Sequence, residues 1–272
     1  MDYSSLLFDR IQSQASAKEL SWIESKANGS LQSLQTAFVA APRFISKEFV
    51  QYPEPINGVS FNNWTFDRLV RVYLLSKFNS SDKDSYIKAI DTLFDTAENN
   101  EAVALISTLP FLAYPDYWML RATNAVRSNI GPVFDAIAFQ NPFPKNLFSE
   151  LAWNQMVLKC IFNDKPIHKI EGVLDRANAE LAHSISYLAH ERWSAGRTIP
   201  AYAWRLVINF LNEEILKDIQ YLFSSSSVHD RIAATLVCIA TDFPGAKEEL
   251  KKHRDLELKA KTDVFSWEGL EN

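Results

Sequence analysis

Asn178-Ala-Glu-Leu-Ala-His-Ser-Ile-Ser-Tyr-Leu-Ala-His-Glu-Arg-Trp-Ser-Ala195 decides what kind of structure this chain builds. At about 100° per residue, Ile185, Leu188 and Arg192 fall within about 40° of Leu181, and Asn178 within about 60°. Apolar side chains therefore recur with the helical period, and Arg192 shares their stripe. His183, Tyr187 and His190 project to the opposite side, with Glu191 between the two faces. A guanidinium on an apolar stripe has two readings. It forms a buried ion pair or clamps carbonyls at a helix end, or its planar fork anchors a ligand carboxylate or phosphate.

Outward from this segment the same period recurs almost everywhere, and no convincing alternating strand appears. Helices are expected at about 3–27, 30–41, 63–78, 83–98, 100–112, 116–129, 132–140, 145–163, 178–195, 200–223, 225–243 and 245–262. Only 7 of 272 residues are Gly and 47% are hydrophobic, which suits helices better than a sheet with Gly-rich turns. Gly29 and Gly196 stand where helices end, Pro132 and Pro200 where they begin, and Ser81-Asp82 and Asn99 read as N-caps. Segment 42–62, with Pro53, Pro55 and Gly58, is the one long irregular stretch, a loop packed across the surface or a lid. His229-Asp-Arg-Ile-Ala-Ala-Thr-Leu-Val-Cys-Ile-Ala240 resembles one helix of a HEAT-type repeat, so 225–262 reads as HEAT-like. The expected fold class is all-α, built of stacked helical pairs. It is either an α-solenoid of HEAT or armadillo kind or a related helical bundle, with 1–272 as a single elongated domain.

Net charge is −5 and no Lys/Arg block occurs, so neither a nucleic-acid surface nor a polybasic membrane anchor has electrostatic support. The longest apolar run, Ile232 to Ala240, is far shorter than a membrane span of about 18–20 residues. The first residues form no signal-type segment. Cys160 and Cys238 lie in apolar helical runs without disulfide or zinc spacing, as in a reducing compartment. These features predict a cytoplasmic protein that neither spans a membrane nor binds nucleic acid.

Between Arg127 and Arg205, polar groups interrupt segments that otherwise read as buried. A buried polar group costs roughly 2–7 kcal/mol unless it is hydrogen-bonded, so such a density implies an internal network or a lined pocket. The candidates are Arg127, Asn129, Asn141, Asn154, Gln155, Lys159, Arg176, Asn178, His190, Glu191, Arg192 and Arg197. Segment 145–163 is apolar almost all round, as in a central helix touched on every side. Within it the short amides of Asn154 and Gln155 must bond backbone, side chains or a ligand, whereas Lys159 can snorkel to solvent. Asn141-Pro-Phe-Pro144 reads as a rigid turn, and Arg127 and Asn129 sit at a helix end before Gly131-Pro132. Trp118, Trp153, Trp193 and Trp204 read as core. The helical zinc motif that His190-Glu191 suggests needs a second His at the position of Ser194, and His183 lies seven residues away with no third ligand nearby. No nucleophile elbow, phosphate loop or dinucleotide fingerprint occurs, so no metal, cofactor or catalytic residue is expected.

These same stretches resemble the EboA family of metabolite traffic proteins. The likeness runs through Arg127-Ser-Asn-Ile-Gly-Pro-Val-Phe-Asp-Ala-Ile-Ala138, Asn141-Pro-Phe-Pro144, Ala152-Trp-Asn-Gln-Met-Val-Leu-Lys159, Asp175-Arg-Ala-Asn178 with Glu180-Leu-Ala182, and Ala189-His-Glu-Arg-Trp-Ser-Ala-Gly-Arg197. Phe143 stands where the family's pattern has Tyr, and His183 where it is not usually His. The resemblance implies a role in moving a metabolite or its precursor toward the cell envelope. It also implies neighbours: a prenyltransferase-like membrane protein and sugar-isomerase-like and dehydroquinate-synthase-like enzymes. Three functions follow as expectations. The first is a non-catalytic traffic or export accessory binding a small anionic metabolite or a pathway partner in a polar-lined helical pocket. The others are a pure interaction scaffold and an enzyme using His190 or Glu191 as acid or base.

Overall fold

The computed structural model describes residues 3–52, 54–262 and 265–271, and Pro53 of the expected irregular segment lies outside the described residues. Among the described residues the chain is all-α: no sheet forms, and the two isolated bridges, Phe49 with Thr65 and Ile56 with Val59, stay local. It divides into two compact units, Met1–Phe148 and Ser149–Asn272.

The first unit holds α1 (Ser4–Gln12), α2 (Ala17–Ala27), α3 (Leu31–Ala40), α4 (Phe66–Ser76), α5 (Lys83–Thr96), α6 (Asn99–Thr108), α7 (Met119–Arg127), α8 (Gly131–Ala138) and α9 (Pro142–Leu147). The helix expected over 3–27 is two helices. Ser16 Oγ accepts the Glu19 N–H and Glu19 accepts the Ser16 N–H at 2.9 Å, a reciprocal cap that starts α2 afresh. Glu19 also accepts the Ser46 N–H at 2.8 Å, tying the irregular segment to α2. That segment is packed down: Val50, Ile56, Val59, Phe61 and Trp64 are buried, and Arg10 holds the Tyr52 carbonyl and the Glu54 carboxylate. Asn99, expected as an N-cap, is the first residue of α6. The cap is Glu98, whose N–H donates to Glu101 at 3.1 Å.

α4 runs through the centre of this unit against α1, α3 and α6, with Leu69, Val70, Val72, Leu74 and Leu75 wholly buried. Arg71 is buried among them. Its Nε donates to the Phe38 carbonyl at 3.0 Å, and Asp67 and Glu101 stand 3.9 and 3.8 Å from the guanidinium. Burial lowers its pKa from the ordinary arginine value, opposed by those two carboxylates.

The second unit holds α10 (Glu150–Phe162), α11 (Ala179–Ser194), α12 (Glu213–Phe223), α13 (Val228–Ala240), α14 (Pro244–Leu250) and α15 (Arg254–Lys261). The expected helix 145–163 breaks at Phe148–Ser149, where Ser149 caps α10, leaving α9 as a separate short helix. Asn141-Pro-Phe-Pro144 is therefore the start of α9 rather than only a turn. Asn141 caps it and both prolines fall in its first turn, where no N–H is needed. The expected helix 200–223 begins as 3-10 turns over Ala201–Phe210 and becomes α-helical only after Asn212, whose side chain accepts the Glu214 and Ile215 N–H groups at 2.9 Å. α13 packs on both segments through Ala233, Ala234, Val237 and Cys238, small side chains that let neighbouring backbones approach. Burial pushes the Cys238 thiol up to about 12.

Candidate functional site

Three of the expected residues belong to the first unit. Arg127 and Asn129 are exposed, at and just beyond the end of α7. Asn141 is buried and satisfied: its Oδ1 accepts the Phe143 N–H at 3.0 Å, and its Nδ2 donates to the Ala136 carbonyl at 2.8 Å.

The other nine lie in the second unit, around α10 and α11. Asn154 and Asn178 form a reciprocal amide pair, Asn154 Nδ2 to Asn178 Oδ1 at 3.1 Å and Asn178 Nδ2 to Asn154 Oδ1 at 2.9 Å. The same Asn178 oxygen accepts the Leu181 N–H at 2.9 Å and so caps α11. Arg176 lies over the Trp153 ring, 4.7 Å from its centroid, and burial lowers its pKa against the pull of Glu150. Arg192 is 7% exposed and clamps helix ends. Its Nε donates to the Thr198 carbonyl at 2.6 Å, Nη1 to the Phe162 carbonyl at 2.8 Å, and Nη2 to the Asp164 carboxylate at 2.8 Å. The turn it grips is set by Gly196 at φ +68°, with the Arg197 N–H returning to the Arg192 carbonyl at 2.8 Å. The Arg197 side chain is exposed.

α10 is not touched on every side. Gln155 is exposed, Leu151 is 69% and Phe162 55% exposed, and with Leu158 they form one stripe at spacings of four, three and four residues. Near-uniform apolarity concealed this open face, because a solvent-facing Leu or Phe carries the same letter as a buried one. The stripe matters because it borders a groove of about 470 Å³ between α10 and α11. Leu158, Phe162, Tyr187 and Leu188 supply its carbon surface, and Lys159, Ser184 and Glu191 its polar edge. Lys159 and Glu191 are thus the two expected residues that share a cavity.

His190 faces away from that groove. Its Nε2 donates to Asp218 at 2.5 Å, and Ser186 Oγ donates to the other oxygen of the same carboxylate at 2.5 Å. Asp218 is 3% exposed and Trp193, tilted against Tyr221 with ring centroids 4.3 Å apart, flanks the histidine. Asp218, Ser186 and Asp164 were missed in the sequence. A signal for Asp218 existed: Ile215, Asp218, Ile219 and Leu222 share one helical stripe, which puts an acid among apolar neighbours just as Arg192 is placed. Among the described residues no group of three or more His, Cys, Asp or Glu stands close enough to hold a metal.

Fold and site together define an all-α protein whose buried polar residues knit its helices and whose open groove is walled by carbon. The chain belongs to the EboA family, described as Metabolite traffic protein EboA, which matches residues 3–208. No curated protein and no solved structure matches it. The matched span contains every expected site residue and ends before Asp218. The family description fits a non-catalytic accessory role. No described helix is long and apolar enough to cross a membrane.

Proposed function

We propose that the protein is a non-catalytic accessory of metabolite traffic that holds a small metabolite in the groove between α10 and α11. The apolar body of the ligand lies on Phe162, Tyr187 and Leu188, and its polar end reaches Lys159 or Glu191. The observation that carries this reading is the groove itself. Its volume falls in the roughly 300–1,000 Å³ range of small-molecule sites, and Phe162 and Tyr187 remain more than half exposed there. Phe162 and Tyr187 are already nearly half covered and Leu188 more so. Covering what remains supplies only about half of the roughly 5–9 kcal/mol of three fully exposed side chains, and association subtracts about 4 kcal/mol or more. Carbon contact alone therefore holds a ligand weakly and the polar end must add to it, as suits a carrier that must release its cargo. Release is from the cytoplasm to neighbouring pathway proteins, a prenyltransferase-like membrane protein among them.

Native mass spectrometry of freshly purified protein tests this. A co-purifying small molecule is expected, lost in Phe162→Asp and Tyr187→Asp while helical content and melting temperature stay unchanged. A bound molecule retained in both variants, or none in the parent, overturns the groove as the site. The internal engagement of Arg192, Asn154, Asn178 and Asn141 supports a second reading, an interaction scaffold. Capture of the neighbouring pathway proteins without added metabolite, lost in the same variants, distinguishes it.

A further inference from the structure

In the first unit a cavity of about 620 Å³ opens where the end of α4 meets the turn at 110–113. Lys77, the residue after α4, lines it. Lys77 is half-buried as a residue, and its side chain has no partner among the described residues. Three carbonyls of the last turn already accept a hydrogen bond each. Ser76 Oγ donates to the Tyr73 carbonyl at 2.6 Å, the Lys77 N–H to Leu74 at 3.2 Å, and the Phe78 N–H to Leu75 at 3.1 Å.

Tyr86 supplies a second donor. It is 3% exposed and its hydroxyl oxygen accepts the Ala113 N–H at 3.1 Å, but its own proton has no acceptor among the described residues. Burial pushes this phenol up to about 12, so the proton stays in place. Neither Asp nor Glu is among the residues lining the cavity, and Tyr3 and Phe111, in edge-to-face contact at 5.7 Å, form part of its wall.

We propose that this cavity binds a small organic anion, its carboxylate or phosphate taking hydrogen bonds from Lys77 Nζ and Tyr86 Oη and its carbon body lying against Tyr3 and Phe111. Lys77 and Tyr86 line one cavity without a lining carboxylate, and a cation with a protonated phenol is the complement of an oxyanion. The site is separate from the groove of the second unit and needs no ligand there.

Isothermal titration of the full chain with benzoate and phenyl phosphate, and with benzyl alcohol as the uncharged counterpart, tests the proposal. One or both anions should bind with one-to-one stoichiometry, and benzyl alcohol at least about tenfold more weakly. Lys77→Gln should weaken the anion by about tenfold or more and Tyr86→Phe by about fivefold, with Tyr187→Asp leaving it unchanged. Absence of binding by both anions, equal affinity for benzyl alcohol, or undiminished affinity in Lys77→Gln and Tyr86→Phe overturns it. Loss of the anion in Tyr187→Asp would move the site to the groove and overturn it as well. Should Lys77→Gln fail to fold, Tyr86→Phe decides, because it removes one oxygen and leaves the ring in place.

Discussion

Asp218 receives two short hydrogen bonds from α11 while lying on the apolar stripe of α12, so it joins these helices by charge in a place where most residues join them by carbon. A buried carboxylate stripped of its donors, or donors stripped of it, costs a large share of a domain's stability. Asp218→Ala is expected to lower unfolding free energy in urea by about 2–4 kcal/mol, because Ser186 is left without its acceptor. Arg192→Ala should cost a similar amount, about 2–4 kcal/mol, since the Phe162 and Thr198 carbonyls lose their donor. Arg192→Lys should recover only part of it, because one ammonium cannot span three acceptors that a planar fork reaches. Retained stability in Arg192→Ala would show that water replaces the clamp. Arg192's place on the buried stripe was legible from helical spacing alone. Its partners were not, since Phe162 and Asp164 lie on another turn and only the fold brings them near.

At the scale of elements, periodicity located the helices but ran through their breaks. The split of 3–27 rests on Ser16 and Glu19, a pattern present in the sequence yet outweighed there by an uninterrupted helical rhythm. Ser16→Ala should therefore lower stability by about 1 kcal/mol, measured as a shift in the urea midpoint at constant slope. Tertiary anchoring also decides Ala201–Phe210, a length that 3-10 geometry seldom reaches unaided. Here Tyr202, Ala203, Trp204, Leu206 and Val207 are buried on both α11 and α13. Composition cannot announce such a preference, because it comes from the surfaces that receive the segment. The same holds for the exposed face of α10, where the groove lies.

For the molecule as a whole, carboxylates set the response to acid. Burial raises the pKa of Glu19, but hydrogen bonds from Ser16 and Ser46 outweigh it and hold the group below its ordinary 4.5. Glu249 is likewise raised by burial and held lower by Lys252, Gln220 and His253. Groups depressed in the folded state contribute stability that is complete above 4.5 and lost as pH falls through their folded values. Asp230 acts oppositely: burial raises it above 3.8, so protonating it favours the fold. Hydrogen bonds hold the exposed Glu54, Asp82, Glu257 and Glu268 carboxyls below their ordinary values as well, so with six depressed groups against one, melting temperature should stay level down to about pH 5 and fall below it. A flat or rising profile between about pH 5 and pH 3 would contradict this balance. Of the groove's lining, sequence reasoning singled out only Lys159 and Glu191 as candidate site residues. Which side chains share a space was not legible, because that depends on which helix faces meet.

One consequence of the amide pair between Asn154 and Asn178 concerns which mutations the chain tolerates. Asn178 caps a helix with its oxygen while donating through its nitrogen to Asn154 and to the Arg176 carbonyl. Aspartate would keep the first role and repel the partner's oxygen. Serine would keep the first and fall short of the second, and glutamine would shift both out of register. Position 178 is thus expected to tolerate none of these three exchanges without cost, on the strength of helix joining alone.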